Sequence, residues 1–456
     1  GFVEGHWALV RATIVNESDT AQEVRLVYSF DTESSRQFVR ETWVPGRSRR
    51  LVEWPARLTS IQPDAKAAVG RAMVMSVADE TSYDDQPGSA IVLREEQLTA
   101  IIAEGDEQAD AAIEGVLVVR EWLGLGRRAM YPPNLERAGP RYTLGWEPAK
   151  ITVLAVEQMD IDAARRRALR RWIRAGSTLW VISDRTDHDD LAETLGEDWG
   201  ITLVDRVSLN EVLIEPADGA DLSVGLKALT ADPVIDENPI TMARVLAPGY
   251  NTILTVRGWP VLLEKSVGAG RIIVTTLNAR GWNDRRNEQA IQIIANTVFD
   301  ASPGVGPKPV DAAGPFIESQ IGYQVAGRST IALVLVGYVG VVLVVGLVLL
   351  VRGRGEWLGP FGLSAALAAT LLLGGIGFSS RGKVDATMAA LQNVRVDPDS
   401  SVATVKGAIG LFAPYERQAS LASKRGGWAW PVDAATAGST RRLMWTDIDY
   451  WTWEQM

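Results

Sequence analysis

The side chains that most often carry catalysis are scarce in this chain of 456 residues. It contains no cysteine, which excludes disulfides, thiolate metal sites and a cysteine nucleophile. It contains two histidines, His6 and His188, so very few histidine side chains are available for a catalytic triad or a zinc site. From these counts we expect a protein that is not an enzyme and that binds no metal and no cofactor.

One short segment concentrates groups that could bind a divalent metal. Asp187, His188, Asp189 and Asp190 are consecutive in the chain. The alternative interpretation is the first turn of a helix, where acidic side chains accept hydrogen bonds from free amides and meet the positive end of the helix dipole. We favour the helix terminus and therefore predict no metal site here.

A cluster of arginines lies on a predicted helix that begins after Asp160, its predicted N-cap, and ends near Gly176. The cluster comprises Arg165, Arg166, Arg167, Arg170, Arg171 and Arg174. Such a cluster could dock an acidic partner or lipid headgroups. The alternative is the solvated face of an amphipathic helix, opposite its apolar stripe, and this is the interpretation that we favour. The net charge of the chain is −10, which argues against nucleic acid as a partner.

The first part of the chain, residues 1–92, has the alternation of short β-strands. Turn residues separate segments in which apolar and polar side chains alternate, as in an immunoglobulin-like β-sandwich. Residues 38–44 and 48–54 are predicted to form a hairpin about Pro45 and Gly46.

Residues 97–300 change to an alternation of strands and helices, which predicts a parallel sheet with helices on both faces. Residues 253–256, 260–267 and 271–277 are predicted as adjacent strands of this sheet. A helix over residues 287–299 closes the domain.

Two apolar runs follow, at residues 331–351 and 358–378, after a linker at residues 301–328 that is rich in proline and glycine. A helix rises ~1.5 Å per residue, so each run matches the ~30 Å hydrocarbon core of a bilayer. We predict a transmembrane helical hairpin whose small residues permit close packing of the two helices. These residues are Gly337, Gly340, Gly346, Gly374, Gly375 and Gly377.

The loop between the two runs indicates an orientation. It carries Arg352 and Arg354 against Glu356, and basic residues close to membrane helices tend to stay in the cytoplasm. Both soluble parts are then extracytoplasmic, in a multi-pass protein of the inner or plasma membrane. Residues 384–456 are predicted to form a β-rich C-terminal domain. Because the chain opens with Gly1 and ends in an aromatic run, we expect a piece of a longer protein with this domain truncated.

The middle of the chain resembles a known family. Three segments carry the resemblance: a strand at residues 151–156, a helix and strand at residues 169–183, and Gly268, Ala269 and Gly270 before a late strand. They resemble the class I glutamine amidotransferase-like domain of bacterial membrane-anchored proteins. The order of β-sandwich, amidotransferase-like domain and transmembrane hairpin also resembles an uncharacterised family of exported bacterial proteins.

At the position of the catalytic residue the chain departs from this family. Active amidotransferases carry a cysteine, activated by histidine, at the elbow that follows a central strand. At that position the chain has Ser183 and Asp184. A serine nucleophile needs a base within hydrogen-bond reach, and the histidine nearest in sequence is His188. We therefore expect a degenerate elbow without catalysis.

Three functions remain open at this point. The favoured one is a non-enzymatic, membrane-anchored extracytoplasmic scaffold or partner-binding protein of the bacterial cell envelope. Its expected partners are the lipid bilayer and another envelope protein. The alternatives are an auxiliary subunit of an ABC-type export or gliding apparatus, and a hydrolase that acts through Ser183.

Overall fold

The fold is described from a computed structural model of the chain. It describes residues 2–3, 6–31, 34–58, 67–78, 81–93, 98–103, 107–127, 129, 143–157, 159, 161–218, 233–284, 287–299, 309–320, 328–382, 387–396, 403–412, 420–423, 441–447 and 450–455. The chain divides into two compact units. The first is Gly1–Ser302 with Asp397–Ser401 and Gln418–Met456, and the second is Pro303–Val396 with Val402–Arg417.

The elements are as follows in chain order. The N-terminal strands are β1 Phe2–Val3, β2 Trp7–Asn16, β3 Gln22–Phe30, β4 Arg36–Val44, β5 Ser48–Arg57, β6 Ala67–Ser76 and β7 Ser82–Leu93. Then come β8 Leu98–Ala103, α1 Glu107–Trp122, α2 Thr143–Trp146, β9 Ala149–Ala155, α3 Ala163–Arg174, β10 Thr178–Ile182, α4 His188–Leu195, β11 Thr202–Val212, β12 Ile214–Pro216, β13 Val234–Leu246, β14 Asn251–Val256, β15 Trp259–Val267, β16 Gly270–Thr275, α5 Ala279–Trp282 and α6 Glu288–Phe299. The second unit contains α7 Pro309–Gln320, α8 Arg328–Val351, α9 Leu358–Gly382, β17 Thr387–Val396 and β18 Ala403–Phe412. The last strands are β19 Ser420–Ser423, β20 Arg441–Asp447 and β21 Tyr450–Gln455.

The N-terminal strands form two β layers around one apolar core. One layer is the antiparallel ribbon of β2 and β5, and the other is a larger sheet in which β3 pairs with β4 and β6. Trp7 and Trp54 from the ribbon meet Phe38 from the sheet in the core. Strand alternation explains this arrangement, because one face of each strand is apolar. The finer immunoglobulin-like topology stays a prediction.

The hairpin predicted about Pro45 is wrong. β4 pairs with β3 and β20, whereas β5 pairs with β2 in the other layer. The Asn16 side chain explains the crossing, because its amide donates to the carbonyl oxygens of Val44 (3.1 Å) and Pro45 (3.0 Å). The turn is thereby fixed to the end of β2, and the chain passes into the second layer. Alternation alone does not reveal which neighbour a strand pairs with.

The α/β domain contains a mixed sheet rather than the predicted parallel one. Its order is β12-β14-β15-β16-β10-β9-β8. β8, β9, β10 and β16 are parallel, while β12, β14 and β15 are antiparallel to their neighbours. The predicted adjacency of β14, β15 and β16 is confirmed. Two-residue turns at Arg257 and Gly258, and at Gly268 and Ala269, join these strands, and a parallel crossover needs a dozen or more residues.

Helices cover both faces of this sheet. Trp180 and Ile182 of β10 face a core shared with α1, α5 and α6. Leu179 and Val181 face the opposite core, shared with α3 and α4. β10 is therefore buried on both faces, as expected for a central strand.

Helix α3 begins two residues later than the predicted N-cap Asp160 requires. The N-cap is Asp162, whose carboxylate accepts a hydrogen bond from the backbone amide of Arg165 at 2.8 Å. Asp160 itself lies outside the described residues. Both residues are aspartates of equal capping strength, so the sequence alone did not distinguish them.

The C-terminal segment does not form the separate β-rich domain predicted for residues 384–456. β20 pairs in parallel with β4, and β21 pairs with β20 and β19, so these strands extend the N-terminal sheet. The side chain of Leu443 enters the N-terminal core. β17 and β18 form a separate antiparallel ribbon in the second unit.

The second unit contains two helices, α8 and α9, that are long and apolar enough to cross a membrane. They coincide with the two predicted runs. The predicted linker at residues 301–328 contains the helix α7, which has Pro315 inside it.

The prediction that the glycines permit close packing of α8 on α9 is met at Gly346 and not at the other four positions given below, and the surroundings of Gly377 lie outside the described residues. A methyl group built at Gly337, Gly340, Gly374 or Gly375 would meet nothing within 4 Å. At Gly346 it would lie 3.2 Å from the Leu358 side chain.

Candidate functional site

The candidate site lies at the carboxyl edge of the parallel strands. β10 ends at Ile182, and Ser183 and Asp184 follow directly. The neighbouring strand β16 ends at Thr275, and Asn278 lies shortly after it. The carboxyl ends of parallel strands meet at one edge of a sheet, which is where α/β proteins commonly bind ligands.

Ser183 and His188 form a buried pair. The Ser183 Oγ lies 2.8 Å from the His188 Nε2 in a hydrogen bond whose donor depends on the histidine tautomer. Ser183 is fully buried and His188 is 6% exposed. Burial, with the nearby Arg206 charge, lowers the pKa of His188, so the ring is neutral at pH 7. A neutral imidazole beside a hydroxyl is the pairing that a serine nucleophile requires.

Two features of known serine hydrolases are not found beside the pair among the described residues. No residue that the structure describes is within hydrogen-bond distance of the His188 Nδ1, where a triad carries its orienting carboxylate. The His188 ring instead packs on the Trp199 ring, with centroids 5.7 Å apart. Within the described residues, the non-glycine positions of positive φ are Arg47 and Arg257. Ser183 is therefore not held in the left-handed region on a strained elbow.

Backbone hydrogen bonds fix the turn that carries the pair. The Ser183 amide donates to the Thr275 carbonyl at 2.8 Å. The guanidinium of Arg206, on β11, donates to the carbonyls of Asp184 (3.2 Å) and Thr186 (3.1 Å). β16 and β11 thus both hold this turn, and the Ser183 side chain in it is fully buried.

Asp184 is a buried carboxyl group beside the pair. It is 7% exposed, and its Oδ2 accepts a hydrogen bond from the Asn278 Nδ2 at 2.8 Å. Its Oδ1 has no hydrogen-bond partner among the residues that the structure describes. Burial raises the pKa of Asp184 to about 6, against the opposing effect of Asn278. The carboxyl group therefore titrates near neutral pH.

The acidic segment after the turn forms a helix N-terminus. Asp187 is the N-cap of α4, and its Oδ1 accepts from the amides of Asp189 (2.8 Å) and Asp190 (3.4 Å). The Asp190 carboxylate accepts from the Met159 amide at 3.1 Å. Within the described part of the chain, no cluster of three potential metal ligands occurs. The carboxylates of Asp187 and Asp190 thus accept from backbone amides.

The arginine cluster of α3 contacts the chain itself. Arg166 pairs with Glu193, and Arg170 donates to the Thr194 and Glu193 carbonyls at the end of α4. Arg174 pairs with Asp198 at 2.9 Å. These guanidinium groups thus meet the negative end of the α4 dipole and two acids. The arginine face of α3, predicted to be solvated, therefore contacts α4 and the residues after it through Arg166, Arg170 and Arg174.

Two residues of the site were missed from the sequence. Asn278, the N-cap of α5, and Arg206, on β11, contact Asp184 from positions that are distant in the chain. Asn278 had a readable signal, because it follows the apolar strand β16. Arg206 had none, because it is one charged residue on the alternating strand β11. The second histidine, His6, lies 3.9 Å from a carboxylate oxygen of Glu147.

Comparison with known proteins assigns no family. No family model matches the chain, and no curated protein matches it. A cytoplasmic protein from Salmonella typhimurium LT2 is similar, at 13% identity over 48% of this chain and 92% of that one, with a TM-score of 0.31. A putative ThuA-like protein from Bacteroides uniformis shares 10% identity over 45% of this chain and 92% of that one, with a TM-score of 0.32. Another, from Parabacteroides merdae, shares 11% identity over 46% of this chain and 90% of that one, with a TM-score of 0.34.

Proposed function

We propose that this chain is a non-enzymatic, membrane-anchored protein of the bacterial cell envelope. Its β and α/β domains recruit a protein partner outside the cytoplasm, and α8 and α9 hold it in the bilayer. The degenerate amidotransferase-like character of the α/β domain belongs to this proposal.

The observation that carries the proposal is the exposure of α8 and α9. Leu343 on α8 is 67% exposed, and Leu371 on α9 is 68% exposed. Almost no side chain of either span is covered by the rest of the chain. An apolar surface of this extent is far larger than monomeric proteins present to water, which supports lipid as its surroundings.

The pairing of β20 with β4 supports an anchor with two spans. β4 precedes both helices and β20 follows both, yet the register joins Arg36 to Arg441 and Arg40 to Trp445. The segments before and after the anchor must therefore lie on the same side of the membrane. An even number of spans satisfies this condition.

The loop between the helices supports the orientation. Arg352 and Arg354 are exposed, with Glu356 as the nearby acid. The basic residues of this short loop favour a cytoplasmic loop and extracytoplasmic domains, against Arg328, Arg381 and Lys383 at the opposite ends of the spans, and the protease experiment below decides between the two orientations.

The experiment uses intact spheroplasts of a bacterium that produces the full chain. Protease added outside is expected to cut both soluble parts while the chain resists extraction by alkaline carbonate. The variant Arg352→Glu with Arg354→Glu is expected to raise the protected fraction, and Arg49→Glu with Arg257→Glu, at two exposed arginines of the soluble part, is the matched control. Full protection of the native chain would refute the orientation. Release by carbonate would refute the anchor.

The identity of the partner follows from purification in mild detergent and identification of the proteins that accompany the chain. An envelope protein supports the proposal. Components of an ABC-type export or gliding apparatus would favour the auxiliary-subunit alternative.

A hydrolase that acts through Ser183 is the second candidate, favoured by the 2.8 Å contact with His188. A fluorophosphonate probe labels activated serines. We expect no labelling of the native chain, because Ser183 is buried. Labelling that disappears in Ser183→Ala but persists in Ser266→Ala, an exposed serine on β15, would establish the hydrolase.

A further inference from the structure

The β17–β18 ribbon has two chemically different faces. Register pairs Met388 with Leu411 and Val394 with Val405 on one face. The described residues of that face are Met388, Ala390, Gln392, Val394, Val396, Val405, Gly407, Ile409 and Leu411, and all of them are exposed. We call these nine residues the apolar ribbon face. Gln392, opposite Gly407 in the middle of the face, is the one polar side chain among these nine residues, and apolar pairs lie on either side of it.

The opposite face of the ribbon is covered by α7. This helix packs against β17 and β18 and buries its own Ala313 and Ile317. On the ribbon, Ala389, Ala408 and Gly410 are half-buried, while their neighbours on the apolar ribbon face are exposed. Strand residues alternate between faces, so α7 lies on one side and leaves the more apolar side bare.

The apolar ribbon face is too small to hold a second copy of the chain by itself. Two paired strands of ten residues cover ~34 Å by ~10 Å, or ~340 Å². A stable protein interface buries about 800 Å² on each partner. Pairing of two ribbons face to face therefore falls short by more than half.

Contact with a bilayer surface does not require such an area. The ribbon is covalently joined to α9, so in the proposed anchor it is already held close to the membrane. α9 ends at Gly382 and β17 begins at Thr387. The four intervening residues, 383–386, reach at most ~18 Å from one end to the other. The ribbon thus begins within a short distance of the point where the chain leaves the proposed membrane span.

We propose that the apolar ribbon face lies on the lipid bilayer, at the boundary between headgroups and acyl chains. This inference rests on the proposed anchor. Within the described residues the ribbon has two strands, and the outer edge of each, unpaired there, excludes it from the hydrocarbon core, where free amides and carbonyls find no partner. At the boundary those edges stay hydrated while apolar side chains leave water, as for interfacial amphipathic helices. The ribbon and the two spans then fix the orientation of the second unit at the membrane.

The absence of cysteine makes a direct test simple, because each substitution creates a single labelling site. The variants are Val394→Cys on the apolar ribbon face, Asn393→Cys on the opposite face, and Leu343→Cys in α8. Val394 and Asn393 are adjacent and both exposed, so they form a matched pair. Each full chain carries a polarity-sensitive fluorophore and is reconstituted in phosphatidylcholine–phosphatidylglycerol vesicles. Nitroxide-labelled lipid and aqueous iodide serve as quenchers.

The expected result is a shift of the Val394→Cys emission to shorter wavelength, with quenching by nitroxide lipid and loss of quenching by iodide. Asn393→Cys is expected to show the reverse. Nitroxide quenching at Leu343 without quenching at Val394 overturns this proposal and leaves the anchor intact. No nitroxide quenching at Leu343 overturns the anchor and this proposal with it. A Val394 emission that changes with the protein-to-lipid ratio and ignores nitroxide indicates a second copy, which also overturns the proposal.

Discussion

The Ser183 hydroxyl and the His188 imidazole are hydrogen-bonded at 2.8 Å with neither side chain open to solvent. The same contact that would activate a nucleophile here joins the end of β10 to the start of α4. Arg206 holds the turn between these two elements, and the buried contact is not open to a substrate. We therefore expect the contact to stabilise the fold.

Replacement of Ser183 by alanine is therefore expected to lower the free energy of unfolding by about 1 kcal/mol, since the buried His188 Nε2 loses its partner. Urea unfolding of the full chain in detergent, followed by tryptophan fluorescence, measures this. Ser266→Ala is the control and should change little. Equal stability of the two variants would contradict a structural role for the pair.

The buried carboxyl group of Asp184 predicts a pH effect. Its pKa is raised from 3.8 to about 6, so between these values the folded state keeps a proton that the unfolded state releases. The stabilisation is fully present below pH 3.8 and is lost as the pH rises through 6. Asp184→Asn lacks this titration. At pH 7 we expect its free energy of unfolding to exceed that of the native chain by up to about 3 kcal/mol.

The measurement for Asp184→Asn is urea unfolding at several pH values. The difference in free energy of unfolding between the variant and the native chain is expected to vanish near pH 4. His188 acts in the opposite sense, because its lowered pKa costs stability as the pH falls below its ordinary value of 6.5. Both chains contain His188, so this effect cancels in the difference between them. Asp218→Asn, at an exposed turn, corrects for net charge. Parallel pH profiles for Asp184→Asn and the native chain would refute the prediction.

Gly270 begins β16 where α3 and the loop before β10 approach closely. A methyl group there would lie 2.0 Å from the Ile173 carbonyl oxygen and 2.3 Å from that of Ser177. Both are backbone atoms that have little freedom to move, so Gly270→Ala is expected to cost about 3 kcal/mol or more. Gly314→Ala in α7, where a methyl group meets nothing within 4 Å, should be neutral or stabilising. Similar thermal midpoints for the two variants would contradict the close approach.

The β4–β20 pairing can be tested by a disulfide. Gln37 and Arg442 are register partners whose side chains are hydrogen-bonded at 2.8 Å. Their Cα atoms lie at the strand spacing of about 5 Å, which a disulfide spans. Gln37→Cys with Arg442→Cys should give a fast-migrating species on a non-reducing gel. Gln37→Cys with Met444→Cys is out of register by two residues, or about 8 Å, and should not.

Local patterns predicted most of the elements. The apolar runs of α8 and α9 and the strand β10 follow from composition and periodicity over neighbouring residues. The direction of β15 was also readable, since turns of two residues force antiparallel neighbours.

Long-range relationships were not predictable in the same way. The pairing of β4 with β20 joins segments about 400 residues apart, and alternation specifies a face without specifying a neighbour. The Ser183–His188 contact depends on how the turn between β10 and α4 bends, which a spacing of five residues does not determine. The bond of Asp184 to Asn278 needs the order of strands in the sheet.

The parallel ladder between β4 and β20 has a consequence for biosynthesis. A ribosome makes β4 long before β20, and the two apolar segments emerge in between. Until translation reaches Arg441, the β4 edge keeps unpaired amides and carbonyls that can pair with other nascent chains. Completion of the N-terminal layer therefore waits until both apolar segments have been synthesised, and premature termination before β20 leaves an unpaired strand edge that favours aggregation.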